Sequence, residues 1–567
     1  MILFNPQSYQ RFHSDPTSKD IMLKSIKFFE AKGLAAIKRD DQNSSWHEDF
    51  FRFIAEEKVF AKLLTPAAEG PSGSRWDMWR ISEYNEILGF YGLSYWYAWQ
   101  VSILGLGPIW MSANKTQKAA AVEALQKGGL FAFGLSEKAH GADIYSSEMT
   151  LHPDGQGGWH ARGAKYYIGN GNKAAMVSTF GKFADTGDYV FFVAKPEHPQ
   201  YKLVKKISTS GVRPAFVAEF ELQDYPIHEA DILARGEEAW NNALNTVNIG
   251  KFELGFASIG IATHALYEAL AHATRRTLYK RSVCDFPHVQ KLFTEAYARL
   301  VAMKLFALRA CDYLRVASPE DRRYLLFNPI VKMKVTGQGE KVVGLLHDVI
   351  AAKGFEQDTY FEMAIRDIGM LPKLEGTTHV NMALIIKFIK NYFFGPVSYP
   401  EVPQKNEAID DTYLFHQHSG GLGEIRFGDY KQAFSKESSS NGLTFKRQIE
   451  LFKKLISQAP PTEMQSKNID FMLANGELFT LIAYAQLIVE NTAHYPISHE
   501  LKNQIFGFLI RDFSEYALKM VLQHDIEPAQ EAIYREMIIK ADPDAQGFST
   551  VWQQEVLPLH AAYQMKS

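Results

Sequence analysis

Apolar residues recur at helical spacing from Ile21 to Lys127, as in Ile26, Phe29 and Ala35 or Phe51, Ile54 and Phe60, and they predict a helical unit broken at Pro66–Ser74. Its last helix is predicted over Lys115–Gly129, with Ala119, Ala120, Ala121, Val122 and Leu125 on it and Gly128-Gly129 as the stop. At Leu130 the texture changes. Short apolar runs at Leu130–Leu135, Tyr189–Ala194 and Ala215–Leu222 lie between Gly, Asp and Pro clusters, the pattern of an antiparallel sheet. Asp154–Gly158, between Met149/Leu151 and Trp159/Ala161, predicts a hairpin because glycines accept the positive φ of tight turns. After Glu237, the long stretches Leu254–Thr277, Val289–Val316 and Asn328–Ala352 predict a four-helix bundle completed by Val380–Tyr392. Gly395–Phe427, with Pro396, Pro400 and Pro403, reads as a linker, and helices are predicted again over Phe445–Ser457, Asn468–Ala493, Leu501–Gln523 and Pro528–Ala541. The expected class is α+β, mostly α. It comprises an N-terminal helical domain (1–127), a central antiparallel β domain (128–236), a C-terminal four-helix bundle (237–395), a linker (396–430) and an additional C-terminal helical domain (431–567).

Composition narrows the function classes. A chain of 567 residues exceeds one core, so two to four units are expected. A formal net charge of −3 offers no broad basic field, and nucleic acid is not expected as a partner. The two cysteines, Cys284 and Cys311, have neither metal-type spacing nor the number for a disulfide framework, which fits a reducing compartment and a cytoplasmic location. Met1–Asp20 lacks the apolar core of a secretory signal. Ile87–Asn114 carries no charge and is long enough to cross a bilayer. Its Gly89, Gly92, Gly105, Gly107 and Pro108, with polar Ser94, Gln100 and Ser102, instead predict two buried helices with a turn near Gly105–Pro108. No metal site is expected, because His416 and His418 lack a third ligand, and Gly420–Gly423 lacks the strand and helix of a dinucleotide fingerprint.

Three motifs carry candidate chemistry: Phe131-Ala-Phe133-Gly-Leu135-Ser136-Glu137-Lys138-Ala-His-Gly141-Ala142-Asp143; Gly163-Ala-Lys165-Tyr-Tyr167-Ile-Gly169-Asn170; and Arg366-Asp367 followed eight residues later by Glu375-Gly376-Thr377 and an apolar helix from Val380. Thr377 or Thr378 can cap that helix, which would set Glu375 on a rigid loop. In order and spacing the three resemble the acyl-CoA dehydrogenase family over Ile21–Phe394, closest in layout to the very-long-chain enzymes with an extra C-terminal helical domain.

The resemblance implies FAD as cofactor and Glu375 as catalytic base, removing a proton from the α-carbon of an acyl-CoA thioester while FAD takes the β-hydride. It implies cofactor contacts at Phe133, Leu135, Ser136, Ala142, Tyr167, Gly169, Thr377 and His379, and substrate contacts at Lys251, Tyr95 and Gly376. Ser136 keeps the hydroxyl of the family's Thr, and Tyr167 keeps an aromatic face. Ala142 drops a Ser hydroxyl, and Gly169 drops a Thr hydroxyl and is expected to open space beside the flavin. Arg276-Thr-Leu-Tyr279 resembles the family's Arg-x-x-Phe, whose guanidinium reaches the FAD pyrophosphate of a neighbouring subunit. Asp348 and Ala351-Ala352 stand where the family has Gln and Gly-Gly at the adenine end, and Lys251 stands at an Arg position near the base. The uncharged Ile87–Asn114 segment, with Tyr91, Tyr95, Trp96, Leu104 and Ile109, is expected to wall the acyl chain, which favours medium to long chains.

The expected partners are acyl-CoA, an electron-transfer flavoprotein or similar acceptor, and a second copy in a homodimer, with peripheral membrane contact through the C-terminal domain as a further role. The alternatives are an acyl-CoA oxidase passing electrons to oxygen, favoured by Gly169, and a catalytically degenerate flavin-binding interaction protein, favoured by the losses at Ala142, Gly169, Asp348 and Ala351-Ala352.

Overall fold

The computed structural model describes residues 2–9, 15–417 and 420–566. The chain opens with seven helices: α1 Pro16–Lys32, α2 Leu34–Asn43, α3 Glu48–Glu56, α4 Val59–Leu64, α5 Met78–Tyr91, α6 Leu93–Met111 and α7 Lys115–Gln126. Side chains cap them as the sequence requires, Asp77 accepting from the N–H groups of Trp79 and Arg80 at the start of α5, and Asn114 from Gln117 at the start of α7. The uncharged stretch is two buried helices, as expected, but they meet at Gly92 rather than near Gly105–Pro108. α6 continues through Pro108, and Gly105 lies inside it, where a Cβ would sit 2.6 Å from Ala132 N, so that glycine permits the close approach of the following sheet.

Eight strands follow: β1 Leu130–Gly134, β2 Thr150–Pro153, β3 Trp159–Gly169, β4 Ala174–Phe183, β5 Tyr189–Ala194, β6 Tyr201–Lys206, β7 Val217–Ile227 and β8 Ile232–Arg235. They form one sheet in the order β6-β7-β3-β2-β4-β5-β8, with β1 also on β4. The predicted hairpin joins β2 to β3, with Gly155 and Gly157 at positive φ and the Asp154 side chain accepting from the N–H groups of Gln156 and Gly158. The sheet is largely antiparallel; β1 and β2 nevertheless run parallel to β4, a pairing across intervening chain that local hydrophobic runs do not reveal.

The bundle contains α8 Gly236–Arg275, α9 Pro287–Arg315, α10 Tyr324–Ile330, α11 Thr336–Ile350, α12 Tyr360–Ile368 and α13 Thr378–Ile385, with a π-helical turn Val331–Val335 between α10 and α11. α8 begins 18 residues before the predicted Leu254. At its crossing with α5 a Cβ on Gly260 would sit 2.2 Å from Glu86 O, and one on Gly89 2.4 Å from Ala257 O, so only glycine permits this backbone approach.

Helices Ser440–Gln458, Ile469–Asn491, His499–Val521 and Pro528–Met537 form the C-terminal unit near their predicted bounds. Arg299 of α9 anchors that unit through a bidentate pair with Asp512, at 2.7 and 2.9 Å. Among the described residues two helices, Gly236–Arg275 and Ile469–Asn491, are long and apolar enough to cross a membrane, and both are mostly buried in protein. The segment 396–417 is an ordered strap: Asp410 and Asp411 accept from the N–H groups of Trp76 and Met78, and Arg315 donates to Asp411 at 2.9 Å.

Candidate active site

Glu375 sits at the junction of α6, α8 and the loop before α13. Its Oε1 accepts from Gln100 Nε2 at 2.7 Å, and the same Nε2 donates to Gly250 O of α8 at 2.8 Å. Its Oε2 is enclosed and has no hydrogen-bond partner. Gly250 is needed here, because a Cβ would meet Glu375 Oε2 at 2.9 Å and Leu104 Cδ2 at 2.3 Å. Burial pushes the carboxyl up to about 7, while the hydrogen bond from Gln100 and the cations Lys332 and Lys251 pull it back.

The backbone bearing this carboxylate is strained. Glu375 has φ +50° and Gly376 φ +85°, and a non-glycine residue in that region costs about 1–3 kcal/mol. The surroundings hold it there. Lys332 Nζ, from the π-helical turn, donates to Pro372 O at 2.6 Å and Gly376 O at 2.5 Å, gripping the chain on both sides of Glu375. Asn381 Nδ2 donates to the carbonyls of Gly376 and Thr377, and Thr377 caps α13 through Val380 N. Desolvation lowers the two nearby ammonium groups, Lys332 to about 7 and Lys251 to about 8, Glu375 opposing both shifts. Just ahead, Arg366 pairs with Asp41 of α2 and donates to Ser210 O, and Asp367 accepts from Val212 N. The motif thus ties the bundle to both preceding units.

The sheet reaches this junction through α6. Tyr97, Gln100, Val101 and Leu104 share one face at helical spacing, and a Cβ on Gly169 at the end of β3 would meet Val101 Cγ2 at 2.5 Å and Tyr97 Cε1 at 2.7 Å. The expected open space beside Gly169 is therefore filled by α6, which removes the feature that favoured an oxidase. Tyr95 also departs from expectation. It lies on another face of α6, fully buried, stacked on His47 at 3.7 Å and edge-on to Phe29 and Phe50, so it packs the N-terminal core and is no substrate contact. Tyr91 and Trp96 are likewise engaged, with Glu30 and Asn85, whereas Leu104 does face Glu375 across Gly250.

The remaining predicted positions divide. Tyr167, at φ +63° and 62% exposed, sets its ring edge-on to Tyr166 at 4.5 Å near the end of β3. The β1 segment nearby has Phe133 buried and Leu135 and Ser136 half-buried. Beneath it Lys165 Nζ donates to Glu137 Oε1 at 2.7 Å and to Leu135 O at 3.0 Å, and Glu137 accepts from Ser147 Oγ and the N–H groups of Glu148 and Met149. This buried pair fixes the loop that presents Ser136. Lys165→Met is expected to cost about 3–5 kcal/mol of stability, read from denaturant unfolding, because it leaves Glu137 buried and unpaired.

Ala142, Thr377 and His379 are exposed, and Gly376 is half-buried beside Glu375. Arg276, Tyr279, Asp348 and Ala352 are exposed on the bundle, away from the Glu375 junction, with Tyr279 at the tip of a hairpin Thr277–Ser282 and 89% exposed. His418 lies outside the described residues. Sequence reasoning missed Gln100, Lys332 and the Glu137–Lys165 pair. A single amide in the uncharged α6 was the available signal for the first.

The raised carboxyl sets two pH effects. Proton abstraction by free Glu375 needs the ionised form, so flavin bleaching at limiting substrate is expected to rise with pH and level off above about 7 in stopped-flow traces. For stability the sign is opposite: a carboxyl raised from 4.5 to about 7 contributes fully below 4.5 and loses that contribution as pH rises through 7. Glu375→Gln is therefore expected to raise the melting temperature above neutrality, with the gain shrinking in acid.

Residues 238–390 match the family model described as acyl-CoA dehydrogenase, C-terminal domain. The chain is 24% identical over 380 residues to probable acyl-CoA dehydrogenase YngJ of Bacillus subtilis, covering 65% of this chain and 97% of that protein. It is 24% identical over 298 residues to the mitochondrial short-chain specific acyl-CoA dehydrogenase of Bos taurus, covering 51% and 70%. In fold it is similar to an acyl-CoA dehydrogenase complexed with FAD from Bacillus anthracis, with a TM-score of 0.74, 15% identity and coverage of 98% and 97%. It is also similar to butyryl-CoA dehydrogenase from Megasphaera elsdenii, with a TM-score of 0.59, 19% identity and coverage of 66% and 98%. A carboxylate enclosed between α6 and the bundle, on this fold, defines the class as an FAD-dependent oxidoreductase. Residues 238–390 thus match the C-terminal domain of acyl-CoA dehydrogenases, and the chain is similar to acyl-CoA dehydrogenases in sequence and in fold.

Proposed function

We propose that the protein oxidises acyl-CoA thioesters to trans-2-enoyl-CoA, with Glu375 as the base at the α-carbon. The observation that carries this reading is the enclosed carboxylate itself, with one oxygen held by Gln100 and the other unpartnered. A substrate carbonyl accepting from the Glu375 N–H would make the α-carbon easier to deprotonate, and the strained loop would keep Oε2 aimed at that carbon.

The residues present fit FAD at the end of β3. Tyr167 leaves a large aromatic face uncovered there, and the neighbouring Ser136 segment is held firm by Glu137 and Lys165. Ser136, Leu135, Phe133 and Tyr167 would hold the ring system, and Arg276 would meet the pyrophosphate of a neighbouring copy. When bound, FAD accepts the hydride from the β-carbon. The exposed hairpin around Tyr279 supports a homodimer, and an electron-transfer flavoprotein is the proposed acceptor. Location in the cytoplasm is part of the same proposal, with membrane contact by the C-terminal unit as a further role. Anaerobic addition of acyl-CoA to the FAD-loaded protein tests the reading: bleaching of the flavin supports it, and an unchanged spectrum across a panel of thioesters overturns it.

A further inference from the structure

Lys251 is a buried amine that the proposed proton transfer does not use. It follows Gly250, which packs on Glu375 Oε2, and it is 7% exposed. Among the described residues its ammonium makes no hydrogen bond and no ion pair, and Glu375 acts on it only through space. The other groups around the base are committed elsewhere. Lys332 of the π-helical turn donates to the carbonyls of Pro372 and Gly376, and Glu253 of α8 accepts from Asn85. Tyr97 of α6, which also faces Glu375, is held in its neutral form by burial.

An ammonium out of water and without a partner gives up its proton readily, and desolvation lowers this one to about 8 although Glu375 opposes the shift. Near neutrality about a tenth of it is free amine, against well under about a thousandth for an exposed lysine. An arginine at this position could not do the same, because a guanidinium keeps its proton. A desolvated lysine is a nucleophile, and a thioester is an acyl donor. With the α-carbon at Glu375 Oε2, the thioester carbonyl carbon lies one bond, about 1.5 Å, away. Gly250 lies against that same oxygen, so the next residue, Lys251, is carried to the same corner of the site.

We infer that Lys251 is a self-acylation site, where the ε-amine takes the acyl group from a thioester bound at Glu375. The amine nitrogen bonds the carbonyl carbon, the carbon–sulfur bond breaks, and the proton lost by nitrogen leaves on the CoA thiol. An amide and free CoA form with no change of oxidation state, and the Glu375 N–H that receives the carbonyl also receives the developing oxyanion. The amide carries no charge. Glu375 thereby loses a cation that lowers it and protonates more readily, so the modification silences the base beside it. The inference rests on the dehydrogenase reading above for the place where the thioester sits.

The test incubates the wild-type and Glu375→Gln holoenzymes anaerobically with excess octanoyl-CoA. Acylated lysines are located by peptide mass spectrometry after hydroxylamine, which removes thioesters and spares amides. Lys251 is expected to be acylated about tenfold or more faster than any exposed lysine, at a rate that in the wild type rises with pH and levels off above about 8. Glu375→Gln should speed the labelling near neutrality, because it removes the carboxylate that holds the proton on Lys251. S-octyl-CoA, a thioether that cannot acylate, should suppress it, and Lys251→Arg should abolish it. Acylation of exposed lysines with Lys251 unmodified overturns the inference, and so does labelling of Lys251 that S-octyl-CoA leaves unchanged. Flavin bleaching without acylation of Lys251 overturns this inference and leaves the dehydrogenase reading standing. Acylation of Lys251 that S-octyl-CoA suppresses, with no bleaching in the wild type, upholds the site and overturns that reading instead.

Discussion

Replacing Glu375 by Gln is expected to slow anaerobic bleaching of the flavin by acyl-CoA about 10³-fold while the holoenzyme stays folded and yellow. General-base catalysis by a positioned carboxylate contributes about 10²–10⁴ in rate. Gly250, which packs against Oε2, has no side chain, and Glu253 accepts from Asn85 through one of its oxygens. Gln preserves the size of the side chain, so it separates loss of the base from collapse of the loop. A variant that bleached at the wild-type rate would remove Glu375 from the chemistry.

The second large effect is expected at Lys332, a positioning residue. Lys332→Met removes both hydrogen bonds that grip the chain around Glu375 and a cation that lowers its pKa. Pro372 O loses this partner, Gly376 O keeps only Asn381, and the left-handed backbone of Glu375 loses a restraint on each side. We expect kcat/KM to fall about 10²-fold, since small misplacement of a reacting group costs that much. The midpoint of the pH profile should also move above 7, because a carboxyl that loses a neighbouring cation protonates more readily. A loss of stability alone would leave that midpoint where it was, so the pH profile decides between the two roles.

How much of this was legible in the sequence follows from the physics of each element. Glu375 could be read because Glu-Gly-Thr before an apolar helix is a local signature, and Thr377 caps α13 as that signature requires. The strands and the C-terminal helices could be read from period and punctuation. The first 18 residues of α8 could not, because the Asn-rich stretch Asn241–Asn248 turns polar groups inward and hides the apolar stripe that betrays a helix. Tyr95 was read as the residue facing the substrate, and Tyr97 was missed, for a related reason. α6 is buried almost all round, so no contrast of polarity marks the face that meets the site. Lys332 was invisible because a lysine in a helix is ordinarily solvated, and only the fold reveals that this one points at two carbonyls. The pairing of Glu137 with Lys165 joins two motifs that were read separately, and the sheet brings them together.

The claim on which the account turns is that Glu375 exchanges a proton with the substrate's α-carbon. A 3-thia-acyl-CoA, which cannot give up a β-hydride, isolates that step. Incubated with the holoenzyme in deuterated water, its α-hydrogens are expected to exchange rapidly, as followed by NMR, and exchange is expected to be lost in Glu375→Gln. Exchange at the same rate in the variant would contradict the account.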